Sequence, residues 1–147
     1  MPAKEGPNMK ILVPVDGSAY SLKAVETACD LAKAKAPSSI VLTAVAVEIP
    51  ELEEGVYIAQ KMRAQAEIAL AKAKEAAQAQ GLTPEVILAT GASPAEEIVK
   101  VAKDQQADLI VIGSRGLAGK TKSFLGSTAS QVVTYSPCSV LVVKTQD

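Results

Sequence analysis

A segment rich in glycine, lysine and hydroxyl residues follows one of the apolar runs of this chain and reads GSRGLAGKTKSFLGST from Gly113. Glycine allows the backbone to approach an anion closely and to turn successive N–H groups towards it. The helix predicted to begin at Ser127 adds free N–H groups and the positive end of its dipole. Arg115, Lys120 and Lys122 supply positive charge with no acidic residue between them. The segment therefore predicts a site for a di- or triphosphate. The glycines of the segment, and the two hydroxyl residues at the predicted helix start, are Gly113, Gly116, Gly119, Gly126, Ser127 and Thr128.

Part of the segment matches the P-loop pattern G-x-x-x-x-G-K-[ST], through Gly119-Lys120-Thr121. The first glycine of that pattern falls on residue 114, which is serine, and Phe124-Leu125-Gly126 interrupts the helix that should follow at once. Asp16 could hold magnesium, but it precedes the loop, whereas the aspartate of a P-loop enzyme follows it. A P-loop-like NTPase that uses Lys120 remains an alternative.

A second pattern, Gly-x2-Gly-x9-Gly-[Ser/Thr], fits without a gap as Gly113, Gly116, Gly126 and Ser127. The competing interpretation is a plain surface loop in which Ser127 only caps a helix. Asp16 lies in a second turn cluster, Asp16-Gly17-Ser18, and by itself could simply cap the first helix.

Composition excludes several classes of function. The 147 residues are 48% hydrophobic and 21% charged, which is typical of a folded domain. With 15 basic and 16 acidic residues the net charge is −1, so we expect no nucleic-acid partner and no attraction to an anionic membrane. The chain has no histidine and therefore cannot form a Ser-His-Asp or Cys-His dyad. No apolar run is long enough to insert into a membrane.

Two cysteines, Cys29 and Cys138, are too few for a protein-ligated zinc site, and no metal-binding residues are predicted. We expect two reduced, buried thiols in a cytoplasmic protein. Residues 1–9 are polar, lack the apolar core of a signal peptide and are predicted to form a disordered tail. Residues 10–147 are predicted to form a single domain.

Apolar runs and helical patterns alternate along the whole domain, and Ser93-Pro94-Ala95-Glu96 is a typical helix start. Since runs without polar alternation have both faces covered, the pattern predicts an α/β fold with helices on both sides of a five-stranded parallel sheet. Ligands of such sheets bind at the carboxyl ends of the strands, where the strand order reverses. The predicted strands are Lys10–Val15, Ile40–Val47, Pro84–Thr90, Asp108–Gly113 and Ser139–Lys144, and the predicted helices are Ser18–Ala36, Val56–Gln80, Ser93–Gln106 and Ser127–Tyr135.

From Lys10 to Lys144 the sequence resembles the universal stress protein family, in its ATP-binding branch. The resemblance rests on Val13-Pro14-Val15-Asp16, on Gly113-Ser114-Arg115-Gly116, on the glycine spacing above and on the terminal run Pro137-Cys138-Ser139-Val140-Leu141-Val142-Val143. It implies a Rossmann-like three-layer sandwich with strand order 3-2-1-4-5. That order places the first and fourth strands side by side, and with them the two unusual loops.

The resemblance also implies a role for individual residues. Asp16 corresponds to the aspartate that contacts the nucleoside, and Val45 to the position whose backbone addresses adenine. The remaining positions are the wall beside the nucleoside (Pro14, Val15), the residues beside the ribose and first phosphate (Ile112, Gly113) and the phosphate cradle (Gly116, Gly126, Ser127, Thr128). Arg115 joins the predicted site because of its positive charge and not through the resemblance.

The resemblance further implies an adenine nucleotide ligand, ATP or AMP, and a homodimer formed through the edge strand Ser139–Lys144. Magnesium would be held mainly by the phosphates, with Ser127 as a further ligand. No residue of either loop is placed as a general base, so we expect a regulatory binding protein with at most slow ATP hydrolysis and no catalytic residues. A scaffold dimer that does not use nucleotide remains the other alternative.

Overall fold

The structure is a computed structural model that describes residues 9–48, 55–116 and 125–144. Strands and helices alternate along these residues, as the apolar pattern predicts. Residues 1–8 of the predicted tail 1–9, and the loop residues Gly119, Lys120 and Lys122, lie outside the described residues. The strands are β1 (Lys10–Pro14), β2 (Ser39–Val47), β3 (Glu85–Gly91), β4 (Leu109–Gly113) and β5 (Ser139–Val143), and the helices are α1 (Ala19–Ala34), α2 (Gly55–Ala79), α3 (Pro94–Asp104) and α4 (Ser127–Tyr135).

All five strands are parallel and form one sheet in the order β3-β2-β1-β4-β5. The central strand β1 pairs with β2 through Val13 opposite Leu42, and with β4 through Leu12 opposite Ile110. The predicted fold class and strand order are therefore confirmed.

Each face of the sheet is covered by two helices. Ile11 and Val13 face α1 and α2 and pack with Val25 and Ala73, while Leu12 faces the opposite side. There it packs with side chains of α3 and α4, among them Ala102 and Val132. Since successive side chains of a strand point to opposite faces, two covered faces explain why the strands are apolar throughout.

Helix ends follow the local sequence signals. The Ser93 hydroxyl accepts a hydrogen bond from the Glu96 amide at 3.3 Å and caps α3. Gly81 lies in the left-handed region at φ +84° and closes α2, with Leu82 N donating to Ala77 O at 3.1 Å. This pair of features is a Schellman motif. Helix α1 begins and ends within two residues of its predicted limits.

The two edge strands are β3 and β5. At the amino-terminal end of the strands, the Met9 carbonyl accepts a hydrogen bond from Ser39 N, and the Met9 side chain packs against the core.

Within the described parts of the chain, no helix combines the length and the apolar character that crossing a bilayer requires.

Candidate functional site

A cleft of about 700 Å³ opens at the carboxyl end of the sheet, over the ends of β2, β1 and β4. Its volume lies within the range of about 300–1,000 Å³ that is typical of ligand sites. All eleven residues predicted for the site line this one cleft, although they come from separate stretches of the chain. They are Pro14, Val15, Asp16, Val45, Ile112, Gly113, Arg115, Gly116, Gly126, Ser127 and Thr128.

The turn after β1 holds Asp16 in one position. Its Oδ1 accepts a hydrogen bond from Ser18 N at 2.9 Å, and its own amide donates to Ser21 Oγ at 3.3 Å. Gly17 adopts φ +87°, which favours glycine. Ser18 is the N-cap of α1, since its hydroxyl accepts from Ser21 N at 3.2 Å. The cap is therefore Ser18, and the Asp16 carboxylate reaches the cleft.

Gly116 lies directly against the Asp16 carboxylate. A Cβ atom at position 116 would be 2.6 Å from Asp16 Oδ2, which is too close for a side chain to fit without movement. The two loops predicted to face each other across the ligand therefore meet at this point.

Packing alone requires a glycine at position 113. A Cβ atom there would lie 2.9 Å from the backbone oxygen of Tyr20 in α1. The sequence pattern predicts glycine here for close approach to an anion, but the structure shows that the end of β4 also approaches the first turn of α1.

A backbone hydrogen bond connects the start of α4 to the residue that follows β4. Gly126 N donates to Ser114 O at 2.7 Å, and Ser114 N donates to Val143 O of β5 at 2.9 Å. The N-cap of α4 is Gly126, which has no side chain of its own to accept from the first-turn amides. The first-turn amides of a helix have no partner within the helix, so those of Ser127 and Thr128 are donors at the cleft.

The opposite half of the cleft, over β2, is mainly apolar. The ladder between β1 and β2 ends with the hydrogen bond from Val15 N to Thr43 O at 2.8 Å. Backbone groups two residues apart point to the same side of a strand, so the N–H and C=O of Val45 point past the end of β1. They are placed to pair with a flat group in the cleft.

A sequence model of the universal stress protein family matches residues 7–144. The chain belongs to this family. Universal stress protein YxiE of Bacillus subtilis is 35% identical over 146 residues, covering 92% of this chain and 98% of the relative.

Solved structures of the universal stress protein family share the fold. UspA from Lactobacillus plantarum has a TM-score of 0.81 at 25% identity, covering 92% of this chain and 97% of the other. A universal stress protein solved in complex with cAMP has a TM-score of 0.74 at 28% identity, covering 96% of this chain and all of the other (100%).

Several lining residues of this universal stress protein are absent from the sequence-based prediction. Met62, Gln65 and Ala66 come from α2, and Pro94 and Ile98 from α3. Met62 and Ala66 belong to the apolar stripe of α2, which predicts burial in either a core or a cleft wall. Periodicity contains no signal that separates these two environments.

Charge in the described part of the cleft is limited to two lining residues, Asp16 and Arg115. Arg115 lies on the β4 side, beside the amides of the α4 start. No group of three His, Cys, Asp or Glu side chains that could hold a metal ion occurs within residues 9–48, 55–116 and 125–144. The described cleft therefore combines one apolar end with one end rich in amide and cationic donors.

Proposed function

We propose that this universal stress protein binds an adenine nucleotide, ATP or AMP, in the cleft at the carboxyl end of the sheet. The observation that carries the proposal is that one cleft gathers all eleven predicted residues and has chemically different ends. A nucleotide needs the same arrangement, because its base is flat and largely apolar and its phosphates are anionic.

The base belongs at the β2 end, where the Val45 main chain offers one donor and one acceptor beside apolar walls. The ribose belongs over β1, because the carboxylate of Asp16 can accept hydrogen bonds from two hydroxyl groups. The phosphates belong at the start of α4. There the amides of Ser127 and Thr128 can donate hydrogen bonds, and Arg115 supplies a positive charge. Magnesium, when present with ATP, would be bound mainly by the phosphates and could take the Ser127 hydroxyl as a further ligand.

A relative supports this choice of ligand. The universal stress protein solved with cAMP is 28% identical to this chain over nearly its whole length. Its ligand contains adenine, ribose and one phosphate, which are the three chemical groups that the proposal assigns to the cleft.

Binding, with at most slow hydrolysis, is the activity that the described residues support best. Asp16 is the one carboxylate among the described lining residues, and the proposal assigns it to the ribose. General-base catalysis needs a group near the attacking water, at the phosphate end. We therefore place the protein among regulatory nucleotide-binding proteins.

A homodimer through β5 completes the proposal. Among the described strands β5 pairs with β4 alone, and Leu141 is 38% exposed. Val133 and Tyr135 of the neighbouring α4 are also exposed, at 46% and 68%. An apolar edge strand of this kind is a surface for pairing with a second copy. Because Val143 of β5 accepts a hydrogen bond from Ser114, the dimer surface and the phosphate end share a structural connection.

Isothermal titration calorimetry with ATP, AMP, adenosine and GTP tests the proposed ligand. We expect ATP and AMP to bind, and we expect Arg115→Gln to weaken ATP about tenfold while leaving adenosine unchanged, because charged hydrogen bonds contribute about 1.5–3 kcal/mol. Ser139→Ala, at the opposite end of the sheet, is the control. The proposal fails if the wild-type protein binds none of the adenine compounds.

Turnover and melting-temperature measurements distinguish the two alternatives from the proposed function. A P-loop-like NTPase would hydrolyse ATP and lose turnover in Lys120→Ala, whereas our proposal expects that variant to keep binding ATP. A nucleotide-independent scaffold would show no rise in melting temperature with millimolar ATP, because only a ligand that binds the native state stabilises it.

A further inference from the structure

The base end of the cleft contains very few polar side chains. Nine described lining residues come from β2, α2 and α3, and seven of them have side chains without a hydrogen-bonding N or O atom. The two exceptions are Thr43 and Gln65. Any side chain that recognises the edge of a base here must be one of these two, within the described residues.

The Thr43 hydroxyl already donates a hydrogen bond within the sheet. The Thr43 side chain is fully buried, and its hydroxyl donates to the Ile87 carbonyl of β3 at 2.9 Å. A hydroxyl has a single hydrogen, so Thr43 has no donor left for a ligand, and the remaining acceptor cannot by itself supply the paired donor and acceptor of a two-bond contact with a base edge.

Gln65 is different because it is exposed at the mouth of the cleft. The next residue, Ala66, is buried in the core cluster that also contains Ala44 and Ala46 of β2. The packing of α2 on β2 in this cluster places the helix beside the end of β2, and Met62, about one helical turn before Gln65, lines the same wall. The carboxamide of Gln65 offers both a donor and an acceptor.

We infer that Gln65 determines base specificity by hydrogen bonding to the N6 and N7 edge of adenine, opposite the edge taken by the Val45 main chain. This inference rests on the proposed function, since it assigns one contact within the same site. A glutamine carboxamide is complementary to adenine at this edge, because its oxygen accepts from the N6 amino group and its nitrogen donates to N7.

Calorimetric titration with ATP and 7-deaza-ATP, in which a carbon replaces N7, tests this contact. We expect the wild-type protein to bind 7-deaza-ATP about tenfold more weakly than ATP, within the range measured for good bidentate contacts. Gln65→Leu should weaken ATP by a similar factor and should bind the two nucleotides equally. Leucine has a helix propensity close to that of glutamine, so the helix should be preserved.

Gln78→Leu is the matched control, because Gln78 is an exposed glutamine of the same helix that lies several turns further along and does not line the cleft. This variant should bind ATP with the wild-type affinity, and it should still bind 7-deaza-ATP about tenfold more weakly than ATP. The inference is overturned if Gln65→Leu binds ATP as tightly as the wild type, or if the wild type binds both nucleotides equally. Those results would leave the proposed function standing, whereas a wild-type protein that binds no adenine nucleotide would remove both.

Discussion

The Asp16 carboxylate and the Gly116 backbone are in direct contact, so that a Cβ atom at 116 would be 2.6 Å from Asp16 Oδ2. These residues are 100 positions apart in the sequence. They meet because β1 and β4 are neighbours in the sheet, and the loops that follow these strands both begin at the carboxyl end of the sheet. The contact joins the proposed ribose position to the start of the proposed phosphate loop.

Gly116→Ala should weaken nucleotide binding. The new methyl group would displace the end of the Asp16 side chain, whose proposed hydrogen bonds to the ribose would contribute about 1.5–3 kcal/mol. We expect ATP affinity to fall about tenfold by calorimetry and the free energy of unfolding to fall by about 0.5–1.5 kcal/mol, because the hydrogen bond from Ser18 N to Asp16 Oδ1 is also disturbed. In an Asp16→Ala background the same substitution should have no further effect on affinity. An additive loss in the double variant would show that Gly116 acts independently of Asp16.

Gly113→Ala should destabilise the fold itself. Its Cβ would lie 2.9 Å from the Tyr20 carbonyl oxygen, a backbone atom that cannot swing aside. Overpacking of this kind typically costs about 1–3 kcal/mol, which urea denaturation without nucleotide would measure. The comparison variant is Gly81→Ala, which has open space around it, so that its loss of about 1–2 kcal/mol would come from the left-handed backbone conformation alone and not from overpacking. A Gly113→Ala protein as stable as the wild type would contradict the packing role of this glycine.

Leu141→Asp should dissociate the proposed homodimer. A charge on the exposed face of β5 cannot be buried between two copies without a partner. Light scattering after gel filtration should then give the mass of a monomer. Val86→Asp is a close control, because Val86 is equally exposed at 38% but lies on β3, the opposite edge strand. If Leu141→Asp keeps the mass of the wild type, or if only Val86→Asp changes it, β5 is not the interface.

The two cysteines should differ in reactivity towards a thiol reagent. Burial raises the pKa of the Cys29 thiol, and it outweighs the opposing effect of Lys33. Cys29 is fully buried, whereas Cys138 is partly exposed. We expect one thiol to react in the native protein up to pH 8.5 and the second only in urea, because the thiolate is the reactive form. Cys138→Ser should leave no fast-reacting thiol, and a fast reaction in that variant would contradict the burial of Cys29.

The sequence predicts the elements of this fold closely, for physical reasons that particular residues illustrate. Apolar runs identify the strands because both sheet faces are covered, and Ser93 and Gly81 mark helix ends through local hydrogen bonds. Strand limits depend on pairing partners and are less certain, as with β1, which ends at Pro14 instead of Val15.

The site is predictable in part. Glycine spacing and the resemblance identify residues at the proposed phosphate end of the cleft, because close approach of the backbone to an anion favours glycine at fixed positions. Gln65 and Met62 leave no such pattern, since α2 is positioned by its packing on β2 and the same stripe serves core and cleft. The second role of Gly113 depends on Tyr20, nearly a hundred residues away, which no local pattern reveals.

Amide chemical-shift mapping of the 15N-labelled protein during ATP titration tests the location of the ligand most directly. We predict the largest shifts at Val45, Gly113, Gly126 and Ser127. We predict none at Ser39 and Ser139, which lie at the amino-terminal end of the strands, opposite the cleft. AMP should reproduce the shift at Val45 and give a smaller one at Ser127. Saturating ATP that leaves these four amides unmoved, or that moves residues away from the cleft, would contradict the proposed nucleotide site.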